Sequence, residues 1–172
     1  MKFLKLIPFF FMIFGVFPHT NNLFAGNEDP NNYKVLTSSN KKLSISNVEA
    51  FLTEGDKLIN TGEFEKAKET YDKARDLARK LAGFYMDLNS SFKGIDARIP
   101  IEMENKGRES IKIWAESSSR LASLYIRKKQ PEVAVPLLVE IIRLMSPKSP
   151  EGNEAYKNLI QLGFVDTTFK GY

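Results

Sequence analysis

The sequence predicts an all-α fold, an α-solenoid of helical hairpins with elongated helices and a C-terminal capping helix. Three observations predict it. Apolar residues step by three and four along the chain from residue 46 onward. Cap and turn residues separate those periodic segments. A pattern of large and small residues in the first hairpin returns 67 positions later. The chain has 172 residues, 42% of them hydrophobic, and no Cys, which allows one ordinary domain and excludes a disordered chain or a disulfide scaffold.

The first 25 residues stand apart. Met1 to Lys5 carries two lysines and no acid, Leu6 to Phe17 is apolar throughout, and Leu23-Phe24-Ala25 ends on a small residue. That order is the charged, apolar and cleavage region of an exported protein, so residues 1–25 are expected to be a signal peptide. The polar break Pro18-His19-Thr20-Asn21-Asn22 stops the run short of the roughly 20 apolar residues a membrane span needs. An uncleaved membrane anchor is the alternative. Cleavage removes Lys2 and Lys5 and no acid, lowering the net charge from +4 to +2, a balance that argues against nucleic acid as partner. It also removes His19, the single histidine. With neither imidazole nor thiol left, the usual catalytic bases, nucleophiles and zinc ligands are gone, so no catalytic, cofactor or metal residues are assigned.

Residues 26–45, beginning GNEDPNNYKVLTSSNKK, are rich in Asn, Ser and charge and read as a flexible leader. Ser46-Asn47-Val48-Glu49 then fits a capping box, so a first helix is expected to start at Ser46. Val48, Phe51, Leu52, Gly55, Leu58 and Ile59 form its stripe, and Asn60-Thr61-Gly62 ends it with a residue suited to a left-handed turn. A second helix follows from about Glu63 to Phe92, because Phe64, Ala67, Tyr71, Ala74, Ala78, Leu81, Tyr85, Leu88 and Phe92 keep their period with no break at residues 79–83.

A loop at Lys93 to Ile99 leads to a helix opening at Pro100, a favoured first-turn residue, with Ile111, Trp114, Ser118, Leu121 and Tyr125 on its buried face. The next helix is expected to begin only at about Val133, since Pro136 has no donor to give. Ser149-Pro150-Glu151 opens the capping helix of the helical domain, residues 46–163, and residues 164–172 leave as a tail.

Three polar groupings carry no chemistry on this reading. Glu102, Glu104 and Glu109 suit a solvated acidic helix start. Lys93, Asp96 and Arg98 suit helix capping, and Trp114 suits the core.

Aligning the segment with itself pairs Gly55, Gly62, Ala67, Tyr71 and Ala74 with Ala122, Lys129, Ala134, Leu138 and Ile141. In this arrangement of bulky, small and aromatic residues the chain resembles the tetratricopeptide repeat (TPR) family. The exported leader and the run KQPEVAVPLLVEIIRLMSP make it similar to small helical-repeat proteins of cyanobacteria. The resemblance implies an interaction scaffold whose first helices line a concave groove for a protein or peptide partner, in the periplasm or thylakoid lumen, with assembly of a membrane complex as the associated role. A permanent structural subunit of such a complex is the alternative it implies. Mapped onto the groove positions, the partner-binding residues are Leu52, Asp56, Ser119, Ser123 and Arg127. Charge reversal at Asp56 and Arg127 is expected to weaken partner capture without loss of helix.

Overall fold

A computed structural model describes residues 42–169. The expectations for residues 1–25 and most of the leader lie outside it. Among the described residues there are five helices and no strand: α1 (Ile45–Asn60), α2 (Phe64–Phe92), α3 (Arg98–Arg127), α4 (Pro131–Met145) and α5 (Pro150–Gln161). The all-α expectation is met. No helix among the described residues is long and apolar enough to cross a membrane.

Three helix starts differ from the sequence reading. The N-cap of α1 is Ser44, whose hydroxyl accepts the Asn47 backbone N–H at 3.2 Å. The Asn47 carboxamide N–H donates to the Lys42 carbonyl at 2.8 Å, tying the helix start to the preceding residues, a donor role distinct from the acceptor role expected of Glu49. Starting there places Ile45 against the core, which a start at Ser46 would forgo. In α3 the Asp96 carboxylate accepts the Arg98 N–H at 2.9 Å, so the helix opens two residues before Pro100. Pro100 still falls within the first turn, where a missing donor has no intrahelical acceptor to lose.

The third correction concerns α4, which begins at Pro131 and contains Pro136. The Gln130 carbonyl accepts from Val133 and Ala134, and that first turn outweighs the single bond Pro136 withholds from Glu132. Glu132 is exposed, so water can satisfy its free carbonyl.

Each helix packs mainly on its neighbours in the chain, and α1 also touches α3. The residues shared by the two hairpins are spent in this packing. Ala67 and Ala134 are fully buried, as are Tyr71 with Leu138 and Ala74 with Ile141. Gly55 lets α1 lie on the Tyr71 ring, since a Cβ there would sit 2.3 Å from the ring carbon Cε1. Helix α3 is buried on a wider front than one stripe, because α2 and α4 pack on different sides of it: Ile113, Ser117, Leu121 and Leu124 are all covered.

One turn geometry recurs after α1, α3 and α5. Glu63 N–H bonds to Leu58, Gln130 to Tyr125 and Phe164 to Leu159, each as the long closing bond of a Schellman turn. The residue at its left-handed corner is Gly62 (φ +81°), Lys129 (φ +58°) and Gly163 (φ +70°), respectively. These positions are 67 and then 34 residues apart. A lysine at such a corner is strained by about 1 kcal/mol. Lys129→Gly is therefore expected to raise stability by roughly 0.5 kcal/mol, the relief being partly offset by the freer unfolded chain. Urea titration of the two proteins checks it, and a fall in the midpoint would sink the strain argument.

Helix α2 does run unbroken through residues 79–83, yet its burial ends there. Between residues 84 and 109 only Met103 and Gly107 are buried, and Phe84, Met86, Leu88, Ile95 and Ile101 are exposed. The far end of the α2–α3 hairpin thus extends beyond the helices that flank its base. The tail does not simply leave: the Tyr156 hydroxyl donates to the Thr167 carbonyl at 2.8 Å, and the Phe169 ring meets Tyr156 edge-on at 6.2 Å.

Candidate partner-binding groove

Helices α1, α3 and α5 line two adjoining hollows that share Ser119. The smaller, about 220 Å³, is bounded by Asp56 and Ile59 of α1, Tyr71 of α2, and Ser119, Arg120, Ser123, Leu124 and Arg127 of α3. Four of the five residues expected to bind a partner, Asp56, Ser119, Ser123 and Arg127, therefore meet around one depression. Leu52 does not join them. It is 4% exposed and belongs to the core, because the buried face of α1 reaches one position further round than the groove assignment allowed.

The larger hollow, about 550 Å³, lies between α3 and α5 over α4. Ala115, Leu138, Ile141 and Ala155 lie beneath it, nearly covered by helix packing, and its open walls carry Lys112, Glu116, Ser119, Glu151, Glu154 and Asn158. Treating α5 only as a cap hid this half of the groove. The signal beside it is Gly163, which stands 34 residues after Lys129 and takes the same left-handed φ.

Two polar ties hold the walls. Asp56 accepts the Tyr71 hydroxyl at 2.5 Å and the Arg120 guanidinium at 3.0 Å, joining α1, α2 and α3. Arg120 also donates to Glu116 at 2.8 Å. Burial would raise the Asp56 pKa, but the bonds from Arg120 and Tyr71 outweigh it and leave the carboxyl below its usual range. The same carboxylate, added to burial, pushes the Tyr71 hydroxyl well above the ordinary tyrosine range. Charge reversal at Asp56 would thus remove a fold contact as well as a groove charge, so it does not isolate binding.

The second tie is deeper. Glu140 of α4 takes two bonds from Arg75 of α2, at 2.9 and 2.8 Å, and one from Ser118 of α3 at 2.8 Å. Burial again opposes ionisation, and Arg75 and Ser118 overcome it, holding Glu140 below the usual carboxylate range. The Trp114 indole contributes to that lowering from nearby, but its buried Nε1 falls short of hydrogen-bond geometry with any acceptor. Nothing in the periodicity of the sequence distinguishes Arg75 or Glu140 from the solvated charges beside them.

Glu102 pairs with Lys106 and Glu104 with Arg108 on the exposed surface, but because α3 opens at Arg98 none of Glu102, Glu104 and Glu109 falls in its first turn, so they are solvated charges and not the acidic helix start expected. Asp96 accepts the Arg98 N–H at the start of α3, and Trp114 packs against the core. Arg127 stays at the groove mouth, 5.9 Å from the centre of the Phe64 ring. Among the described residues no group of three His, Cys, Asp or Glu side chains is arranged to hold a metal ion.

No protein-family model, curated protein or solved structure matches this chain. The groove's own geometry therefore has to carry the functional reading.

Proposed function

We propose that this chain is an exported, non-catalytic interaction module, a TPR-like solenoid that takes a protein or peptide partner along the groove of α1, α3 and α5 and serves as an assembly or scaffolding factor for a membrane complex. The observation that carries the reading is the pair of adjoining hollows walled by residues of mixed polarity. Such a surface suits an extended peptide or a helix face better than a small cofactor, which favours a deeper apolar pocket. The Schellman turn repeated at 67 and 34 residues supports the solenoid, since the first helix of each repeat in that architecture lines one concave side. The assembly role and a periplasmic or lumenal location rest on residues 1–25 and on the family resemblance.

A second reading, a permanent structural subunit of a membrane-associated complex, is favoured by the exposed apolar end of the α2–α3 hairpin. Gel filtration of native extract separates the two: a module runs as a small particle with a minor bound fraction, whereas a subunit runs wholly with its complex.

Affinity capture from the native cell, read by mass spectrometry, tests the groove directly. Ser123 and Arg127 are exposed and carry neither wall tie. The double variant Ser123→Trp with Arg127→Glu is expected to lose most of the captured partner while its circular dichroism stays that of the wild type. Capture at the wild-type level would remove the groove as the site.

A further inference from the structure

We infer that a third hollow, between α1 and α2, takes an acidic, apolar-anchored segment of a protein partner, with Lys42, Lys73 and Lys80 reading its carboxylates and the half-buried Phe51 and Leu77 receiving its apolar side chain. This contact goes beyond the groove reading. Phe51 lies across the buried stripe of α1 (Val48, Leu52, Gly55) from Asp56, and the hollow shares no residue with the groove.

Charge complementarity points to that occupant. The hollow measures about 590 Å³, and on α2 it is bordered by Lys73, Leu77 and Lys80, which follow one another at four and three residues and so stand on one face. The other two lysines of α2 are paired, Lys66 with Glu63 and Lys68 with Asp72. Lys73 and Lys80 make no ion pair or side-chain hydrogen bond among the described residues, although Glu69 and Asp76 stand within a turn of them. Asp76, the carboxylate that lines the hollow, is held instead by Arg79 at 3.1 Å. Lys42, just before α1, adds a third unpaired ammonium.

Three like charges thus border a surface on which Phe51 and Leu77 are only partly covered. A carboxylate-bearing segment relieves their repulsion and covers the apolar wall together, whereas a basic segment adds to the repulsion. The same face of α2 continues with Phe84 and Leu88, both exposed, at four and eight residues after Lys80. An amphipathic segment leaving the hollow therefore finds apolar surface beside it. An anionic bilayer has the matching charge, but a flat surface does not enter the hollow to reach Phe51 and Leu77.

The test uses the full chain and three short labelled peptides: one with a central Leu-Phe pair flanked by glutamates, one with the pair flanked by lysines, and one with the glutamates kept and the pair replaced by serines. Fluorescence anisotropy at low salt is expected to show the first binding about tenfold more tightly than either of the others. Lys73→Glu with Lys80→Glu is expected to reverse the preference between the glutamate and lysine peptides while the circular dichroism is unchanged. Lys148→Glu with Lys157→Glu, which alters the net charge equally at exposed positions that do not line the hollow, is expected to keep it. Equal binding of the glutamate and lysine peptides, equal binding with and without the Leu-Phe pair, or a preference lost equally in both double variants overturns the proposal. Binding of the glutamate peptide no tighter than about 1 mM overturns it as well, and capture of phosphatidylglycerol vesicles that disappears with the Lys73 and Lys80 reversals then assigns these lysines to a lipid surface. Ser123→Trp with Arg127→Glu, which obstructs the groove, is expected to bind the glutamate peptide nearly as the wild type does. Loss of the peptide in that variant places it in the groove and overturns the α1–α2 site, whereas loss of the native partner alone leaves both sites standing.

Discussion

Replacing Glu140 by Ala is expected to lower stability by about 3 kcal/mol, because it leaves the Arg75 guanidinium mostly covered and without its acceptor, while the Ser118 hydroxyl keeps only the Trp114 carbonyl at 3.0 Å. The Glu140 side chain is 12% exposed and that of Arg75 is 23%, so solvent recovers only part of the loss. The informative comparison is Arg75→Met with Glu140→Met, which removes both charges and keeps the bulk. That double variant is expected to lie within about 1 kcal/mol of the wild type in urea titration, since a buried pair is costly to break and cheap to replace. A single and a double variant of equal stability would mean that the tie is not a coupled unit.

Acid adds a second readout of the same tie. The folded-state pKa of Glu140 lies below its ordinary value of 4.5, so its contribution is complete above that pH and is lost as pH falls through the folded value. Asp56 has the same sign, from an ordinary value of 3.8. Stability of the wild type is expected to decline below about pH 4.5 more steeply than that of the Met–Met variant. Parallel profiles would contradict the assignment.

The second large effect is expected at Gly55. A Cβ on residue 55 would come within 2.3, 2.6 and 2.9 Å of three Tyr71 ring atoms, and the ring cannot swing aside freely because its hydroxyl is fixed on Asp56. Alanine is the better helix former by about 1 kcal/mol, yet overpacking of this kind costs about 1 to 3 kcal/mol and also strains the Asp56 tie. Gly55→Ala is expected to destabilise by about 2 kcal/mol. In a Tyr71→Leu background, where the ring and its anchor are absent, most of that penalty should vanish. A Gly55→Ala protein as stable as the wild type would show that α1 and α2 can separate without cost, against the close packing described.

How much of this was legible in the sequence depends on the kind of signal each feature leaves. The helix count and the unbroken α2 were readable because apolar residues at three-and-four spacing mark a buried face wherever they occur, and Gly62 and Ser149 end or begin helices through their own local chemistry. The cap of α1 was misplaced by two residues because two serines, Ser44 and Ser46, both offer a cap and only the tertiary placement of Ile45 decides between them. Pro136 misled for a different reason: it withholds one bond from the Glu132 carbonyl, which is open to water, while the first turn from Pro131 gains the Gln130 bonds to Val133 and Ala134.

The candidate site was half legible. Asp56, Ser119, Ser123 and Arg127, which meet around the smaller hollow, were assigned from the repeat alignment, whereas the hollow between α3 and α5 was not anticipated. Leu52 was assigned to the groove by register alone, and a shift of one helical position is enough to carry a side chain from surface to core. The Arg75–Glu140 tie left no trace, since the two residues stand 65 positions apart and meet only when α2 and α4 are both in place.

The unflanked end of the α2–α3 hairpin has a consequence for motion. Residues 84–109 are held by the two helices gripping one another and by the Asn89 side chain on the Pro100 carbonyl, with little else covering them. This end can open as a unit while the five-helix base stays intact, because the contacts it would lose are largely its own. Backbone amides of α2 should therefore exchange with solvent in a gradient, slowest around Ala74 and Ala78 and faster by orders of magnitude beyond Phe84, with α3 mirroring it before Gly107. The same pair of helices is thus well covered at one end and held only by its own contacts at the other, and the exchange gradient along α2 measures that difference.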